Sequence, residues 1–156
     1  MKSIIVYYSR SGNTEKLANR VKEDLQCDIL KIEPAEAYGN YVASCIRVMG
    51  EHRRKEKAKF ITEIPDLGTC DVILLGYPIW ASDMPAFVSE FISQCNLSGK
   101  RIIPFATFGG TNISKSVKTL EGVCGGAELL LPFNYGMFKK DDYNNWITAI
   151  KGILNS

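Results

Sequence analysis

Residues 9–14, near the amino end of the chain, have the composition of an anion-binding loop. They are Ser9, Arg10, Ser11, Gly12, Asn13 and Thr14. Backbone N–H groups at a helix N-terminus, together with the positive end of the helix dipole, bind anions such as phosphate. A helical pattern begins directly after this loop, whose hydroxyls add donors and whose glycine permits close backbone approach. The alternative is that Thr14 is only a helix cap and the rest is a polar turn.

A second segment, residues 77–84, is apolar for a loop and follows the strongest apolar run of the chain, residues 72–76. It contains Pro78, Ile79, Trp80 and Ala81. Loops at the ends of sheets are normally polar, so this much apolar and aromatic surface favours a wall for a flat ligand. The alternative is that Trp80 packs over its own helix as ordinary core.

A third segment combines an aromatic residue with two glycines. It begins with Thr107, Phe108, Gly109 and Gly110. Its backbone amides suit the polar edge of a ring system, although Gly109-Gly110 is also compatible with a simple tight turn. Together the three segments predict a clamp for a molecule with a phosphate at one end and a planar aromatic ring at the other. Flavin mononucleotide (FMN) fits that description.

The elements that must position these segments alternate between strand and helix periodicity five times along the chain. The expected strands are 4–8, 28–32, 72–76, 101–106 and 127–133. The expected helices start near residues 15, 38, 85, 114 and 141. A repeated β-α order requires a parallel sheet with helices on both faces, which predicts one doubly wound α/β domain over residues 1–156. Such sheets bind ligands beyond the carboxyl ends of their strands.

Residues 36–60 are the ambiguous part of this pattern. Apolar residues at helical spacing lead into a charged run, residues 51–57, which contains His52, the only histidine of the chain. Charged runs of this kind are typical of a solvated helix end or loop. We expect Tyr38 and Tyr41 to belong to the core rather than to a ligand site.

Composition excludes several classes of protein. The 156 residues are 46% hydrophobic and 23% charged, which is ordinary for a globular domain and excludes a disordered chain or a coiled coil. A net charge of +2 gives no argument for nucleic acid or a membrane as a partner. Five cysteines without a C-x-x-C pair predict no metal site. The apolar run 4–8 is shorter than a signal-peptide core, which predicts a cytoplasmic protein.

The chain resembles the flavodoxins, in particular those whose loop after the third strand reads P-I-W-W-G-x-x-P. The matching stretches are IIVYYSRSGNTEKLA, CDVILLGYPIWASDMPAFVSEF and GKRIIPFATFGGTNISKSV, in the right order and at the right separations. The resemblance implies a flavodoxin-like five-stranded parallel sheet of order 2-1-3-4-5 and FMN as the cofactor.

The resemblance also implies roles for the three segments. The phosphate of FMN would be held by Ser9, Ser11, Gly12, Asn13 and Thr14, with Arg10 contributing its backbone N–H. One side of the ring would be lined by Pro78, Ile79, Trp80 and Ala81. The ring or the ribityl chain would be met from the other side by Thr107, Phe108, Gly109 and Gly110.

Two departures from the flavodoxin pattern bear on these roles. Ala81 and Ser82 stand where relatives have Trp and Gly. In flavodoxins, a small flexible residue near the flavin N5 lets a backbone carbonyl turn toward the reduced ring, and the resemblance implies that Ser82 would do so at some strain. The chain is also near neutral, with an isoelectric point of about 8.2, whereas flavodoxins are strongly acidic. Docking to a basic reductase through an acidic face is therefore not expected.

An FMN-dependent electron-transfer protein is the leading functional hypothesis, with a redox partner protein or a small acceptor, as a monomer or weak homodimer. An NAD(P)H-dependent FMN oxidoreductase acting on a quinone is the alternative, although no G-x-G-x-x-G is present. A flavin-free binding module of the same fold is the third. A phosphate receiver and a P-loop hydrolase are excluded, because the acidic cluster and the G-x-x-x-x-G-K-[ST] motif are missing. No catalytic residue is predicted.

Overall fold

The computed structural model describes residues 1–54, 57–108, 112–136 and 140–156. The strands are β1 (Ser3–Tyr7), β2 (Asp28–Lys31), β3 (Val72–Pro78), β4 (Arg101–Phe108), β5 (Glu128–Leu129) and β6 (Phe133–Gly136). The helices are α1 (Asn13–Leu25), α2 (Tyr41–Arg54), α3 (Ala86–Gln94), α4 (Ser114–Val123) and α5 (Tyr143–Asn155). The alternation predicted from the sequence is confirmed, with boundaries that differ by a few residues.

All strand pairs of this sheet are parallel, and their order is β2-β1-β3-β4-β5, with β6 also paired to β4. The predicted order 2-1-3-4-5 is therefore confirmed. Every residue of β3 is buried, which explains its continuous apolar sequence. Since β1 lies between β2 and β3, the strand order reverses there, and the carboxyl ends of β1, β3 and β4 meet at one edge.

The fifth strand differs from its prediction, because it is interrupted rather than continuous over 127–133. Leu129 lies opposite Ile102 and Phe133 lies opposite Phe105, so three residues, 130–132, oppose two residues of β4. An extra residue of this kind is a β-bulge. Leu131 has a positive φ of 46° within the bulge, and its carbonyl accepts a hydrogen bond of 2.8 Å from the indole N–H of Trp146. Beyond the bulge, β6 continues to the carboxyl edge of the sheet.

The core has two parts, one on each face of the sheet. Buried side chains of α1 and α5 cover one face, including Leu17, Val21 and Ile150. Buried side chains of α2, α3 and α4 cover the other, including Phe87 and Leu120. Within the described ranges, no helix is long and apolar enough to cross a membrane.

Residues 33–62 form an excursion that leaves β2 and returns beside its own start. The backbone N–H of Ala35 donates to the carbonyl of Lys59 at 2.9 Å, and that of Ile61 donates to the carbonyl of Glu33 at 3.1 Å. Between these contacts the chain forms α2, whose first turn is capped by the Asn40 side chain, an acceptor for the N–H of Ala43 at 2.9 Å. The ambiguous region therefore contains the helix that its apolar spacing indicated.

The structure confirms the predicted positions of the charged run and of Tyr38, but not that of Tyr41. The run supplies the exposed end of α2, as predicted, and residues 55–56 of it lie outside the described residues. His52 lies on that end, with its Nε2 3.2 Å from the carbonyl oxygen of Met84. Tyr38 is 7% exposed and belongs to the core, as expected. Tyr41 does not: it is 49% exposed, because it is the first residue of α2 and lies at the edge of the sheet.

Gly76 of β3 packs closely against the ring of Phe105 in the neighbouring strand β4. A Cβ at this position would lie 2.3 Å and 2.4 Å from two ring carbons of Phe105. We expect Gly76→Ala to lower the free energy of unfolding by about 1–3 kcal/mol, because the buried ring has to move. Urea denaturation measures this change.

Gly122→Ala in α4 is the matched control, since no heavy atom lies within 4 Å of the added Cβ. It should raise the free energy of unfolding by about 0.5–1 kcal/mol through helix propensity and the entropy of the unfolded chain. Equal effects of the two substitutions would contradict the packing argument.

Candidate functional site

A cavity of about 760 Å³ opens at the carboxyl edge of the sheet, where β1, β3 and β4 end. Its volume is in the range of small-molecule sites. Among the residues predicted to form a site, the cavity is lined by Ser9, Arg10, Ser11, Asn13, Thr14, Pro78, Ile79, Trp80 and Thr107. The three segments proposed from the sequence thus contribute to one site, as far as they are described.

Five predicted residues are not placed in the wall. Gly12 and Ala81 lie in the loops but do not line the cavity. Gly109 and Gly110 lie outside the described residues, and Phe108 is described only through its backbone at the end of β4. The assignment of each predicted residue to a particular part of FMN stays a prediction.

The sequence interpretation missed several residues of the wall. They are Lys16, Leu17, Arg20, Tyr41, Tyr135 and Gly136. The first three could have been predicted from the sequence, because they share one face of a helix with Asn13, a predicted site residue. Tyr135 and Gly136 reach the cavity only because β6 continues past the bulge, and Tyr41 only because of the excursion.

The N-terminus of α1 faces the cavity without a side-chain cap among the described residues. Gly12 precedes the helix with a left-handed φ of 92°, and its carbonyl accepts from the N–H of Lys16 at 2.9 Å. The preceding N–H groups of the first turn therefore have no partner within the helix. Ser9 Oγ accepts the N–H of Gly12 at 3.0 Å, which leaves the Ser9 hydroxyl hydrogen available as a donor. The arrangement suits an anion.

A buried pair of hydroxyls joins α1 to β4. The Oγ1 atoms of Thr14 and Thr107 lie 2.7 Å apart, and the two residues are 1% and 8% exposed. Thr14 is the second residue of α1, so the alternative that it caps the helix is wrong. Its side chain instead fixes the start of α1 against the end of a strand that forms another part of the wall.

The charges around the cavity are positive. Arg10, Lys16 and Arg20 line it, and no carboxylate does so in the part of the chain that the structure describes. Glu15 lies in the first turn of α1 but is held elsewhere: its Oε1 accepts from the Tyr7 hydroxyl at 2.8 Å and lies 3.4 Å from Lys31 Nζ. The Tyr7 hydrogen bond and, more weakly, Lys31 outweigh partial burial and hold the pKa of Glu15 below its usual range.

The aromatic wall of the cavity is continuous with the core. Trp80 is 3% exposed and lines the cavity, and its ring packs edge-on against Tyr8 with a centroid distance of 5.8 Å. Tyr38 lies 5.0 Å from the Trp80 ring centroid. Burial, chiefly, raises the pKa of Tyr8 to about 12. Trp80 is therefore both a core residue and a wall, so the two alternatives from the sequence are compatible.

The turn after Trp80 is strained. Its ends are paired, with Trp80 N donating to the carbonyl of Asp83 at 2.9 Å and Asp83 N donating back at 3.1 Å. Ala81 and Ser82 have φ values of 50° and 68°, as the central residues of a type I′ turn require. Residues with a Cβ adopt this conformation at a cost of roughly 1–2 kcal/mol each. The strain expected at Ser82 is thus present, and Ala81 shares it.

Asp83 holds the strained turn in place. It is 3% exposed, its Oδ1 accepts the N–H of Met84 at 2.8 Å, and its Oδ2 accepts the hydroxyl of Thr119 at 2.9 Å. The Thr119 hydrogen bond ties the turn to α4, and the Met84 hydrogen bond closes the turn locally. Buried side-chain polar atoms in the described ranges all have a hydrogen-bond partner, so the turn is supported without leaving a polar group unsatisfied.

Fold and cavity together define a doubly wound α/β protein with a site for a small anionic, aromatic ligand at the point where strand order reverses. A sequence model described as Flavodoxin matches residues 2–150, and the chain belongs to the flavodoxin family. Flavodoxins are FMN proteins, so this membership confirms the cofactor predicted from the sequence. The narrower resemblance through the P-I-W loop stays a prediction.

Solved structures of similar proteins agree with this assignment. A protein from Bacteroides uniformis, assigned as a flavoprotein, is 26% identical, covers 96% of this chain and 97% of its own, and superposes with a TM-score of 0.81. A second protein, from Bacteroides eggerthii and also assigned as a flavoprotein, is 25% identical. It covers 99% of this chain and 98% of its own, with a TM-score of 0.77. A Lactobacillus acidophilus flavoprotein in complex with FMN is 18% identical over 85% and 92%, with a TM-score of 0.74, and shows the shared fold. No curated protein sequence matches the chain.

The strained turn gives a direct prediction. Ser82→Gly should raise the free energy of unfolding by about 0.5–1 kcal/mol, because relief of the Cβ penalty at a positive φ outweighs the greater freedom of glycine in the unfolded chain. Ser89→Gly, in the middle of α3, is the control and should lower it by about 0.5 kcal/mol. Thermal or urea unfolding of both variants without FMN measures the difference. Loss of stability in both would show that the turn is not strained.

Proposed function

We propose that this chain is an FMN-binding electron-transfer protein. The observation that carries the proposal is the division of one cavity into two chemically different parts. Among the described residues, one part has a helix N-terminus without a side-chain cap, hydroxyls and three cations, and the other has the buried aromatic wall around Trp80. A ligand with a phosphate at one end and a flat ring at the other matches this division.

The phosphate would be held by groups of the first loop. Donors come from the hydroxyls of Ser9 and Ser11 and from the first-turn N–H groups of α1, which have no acceptor within the helix, and the helix dipole adds a favourable field. Arg10, Lys16 and Arg20 contribute positive charge in the same wall. Hydrogen bonds to a charged group of this kind are worth about 1.5–3 kcal/mol each.

The ring would be held by the apolar part of the wall. Pro78, Ile79 and Trp80 come from the end of β3 and the loop after it, and Ile79 and Trp80 are only 2% and 3% exposed. Side chains so firmly packed on their inner side give a preformed surface that excludes water. FMN, when bound, supplies the redox chemistry, and the chain sets its surroundings and access.

The titratable groups of the wall support electron transfer over an enzyme that moves protons. In the described wall they are Arg10, Lys16, Arg20, Tyr41 and Tyr135. Neither a histidine nor a carboxylate, the side chains that most often act as general acid or base, is among them. A carrier of electrons needs no such group.

Ser11→Ala tests the phosphate loop. We expect the affinity for FMN to fall about 10-fold, the equivalent of one hydrogen bond to a charged oxygen, and the affinity for riboflavin, which lacks the phosphate, to stay unchanged. Ser11 is exposed, so the substitution leaves the core intact. Fluorescence titration with both ligands measures the two affinities.

Ser93→Ala, at an exposed position of α3, is the control and should change neither affinity. Equal losses for FMN and riboflavin in the Ser11 variant would contradict the assignment of the loop to the phosphate.

The proposed function itself is tested by absorbance and turnover. The purified chain should retain the visible bands of oxidised flavin through desalting after FMN is added, and the reduced protein should pass electrons to one-electron acceptors. Steady-state consumption of NAD(P)H with a quinone, at a rate typical of enzymes, would favour the oxidoreductase alternative. A chain that retains no FMN would defeat both.

A further inference from the structure

The outward face of α2 is apolar, the reverse of the usual arrangement in a surface helix. Val42, Ile46 and Met49 are 64%, 66% and 55% exposed. Their spacing of four and three residues places them on one face of the helix. We call these three residues the α2 stripe. The inner face of α2 packs against the core through the fully buried Ser44 and Val48.

The α2 stripe is adjacent to the cavity. Tyr41, the first residue of α2, lines the cavity and is 49% exposed. Val42 follows it directly, so the apolar surface begins at the cavity wall and runs along the helix. A protein that covers the α2 stripe would therefore come within reach of the proposed FMN site.

Basic residues lie at the end of α2 and in the wall of the cavity that Tyr41 also lines. Arg53 and Arg54 are exposed at the end of α2, and Arg10 is exposed in the cavity wall. The only carboxylate of α2, that of Glu51, is neutralised: its Oε1 lies 2.9 Å from Arg47 Nε and accepts from the Tyr38 hydroxyl as well. The surface offered to a partner therefore combines an aliphatic centre with positive charge.

We propose that the α2 stripe docks a redox partner protein whose contact surface has an apolar centre rimmed by Asp and Glu side chains. This inference rests on the proposed electron-transfer function and specifies the partner of that site. Complementary charge accelerates encounter, and redox complexes bury small interfaces, so a three-residue apolar centre is sufficient for a transient complex.

A second copy of the chain and a lipid surface each fit the α2 stripe less well than an acidic redox protein. A second copy of the chain in a two-fold contact would place the same basic groups against each other. Helices that bind lipid surfaces insert a broad apolar face, often with Trp or Phe. The α2 stripe has three aliphatic side chains, and its helix is fixed to the core through Ser44 and Val48.

Nuclear magnetic resonance titration of the isotope-labelled, FMN-loaded chain tests the proposal. The probe is an oxidised plant-type [2Fe–2S] ferredoxin, a small acidic redox protein, and basic cytochrome c is the comparison. We expect amide signals of residues 41–54 to change with ferredoxin and not with cytochrome c. The affinity should fall at least 10-fold between about 20 mM and about 300 mM salt, because the contact is charge-assisted.

Two pairs of variants separate the α2 stripe from charge in general. Ile46→Glu and Arg53→Glu should each weaken ferredoxin binding at least 5-fold. Asn144→Glu and Lys151→Glu make the same charge changes at exposed positions of α5 and should have less than a 2-fold effect. Equal effects within each pair, or signal changes centred on another surface, would overturn the proposal.

Other outcomes have defined meanings. Sedimentation as a dimer that Ile46→Glu dissociates, or binding to anionic phospholipid vesicles that the same variant abolishes, would assign the α2 stripe to those occupants and overturn the proposal. Retention of FMN without ferredoxin docking defeats this inference and leaves the proposed function standing. If FMN is not retained, the proposed function fails, and the same titration on the FMN-free chain still tests the surface.

Discussion

The parallel pairing of β1 with β3 and of β3 with β4 is the constraint on which the site depends. Parallel strands present their carboxyl ends at the same edge, so loops that are far apart in sequence meet there. The hydroxyl pair of Thr14 and Thr107 makes this meeting specific, because it fixes the start of α1 to the end of β4 across 93 residues of chain. With that contact in place, the polar and aromatic parts of the cavity have a fixed separation.

The site combines features that would each destabilise an ordinary loop. An uncapped helix end, three neighbouring cations and two residues with positive φ lie within or beside the same cavity. Such concentrations of unfavourable local structure are typical of functional sites, where the rest of the fold supports them. Here Asp83 and the packing of Trp80 provide that support.

Much of this architecture follows from the sequence, for identifiable reasons. Continuous apolar runs fixed the positions of β1 and β3 to within two residues, because strands buried on both faces leave no other pattern. The sequence did not predict Tyr135 and Gly136 as wall residues, because the bulge at Leu131 depends on tertiary contacts, among them the Trp146 hydrogen bond. Tyr41 was not predicted as a wall residue either, because apolar spacing indicates a helix but not which of its faces points outward. Lys16 and Arg20 could have been predicted, because helical periodicity places them on the same face of α1 as Asn13.

The excursion that carries α2 is attached to β2 through a short antiparallel contact between residues 33–35 and 59–62. Among the residues that the structure describes, no strand of the sheet lies between these attachment points, so changes in the α2 stripe leave the strand register untouched. Selection can therefore act on the α2 stripe and on the sheet separately. In evolutionary terms the excursion is a module whose outer surface can change while the order of the strands stays the same.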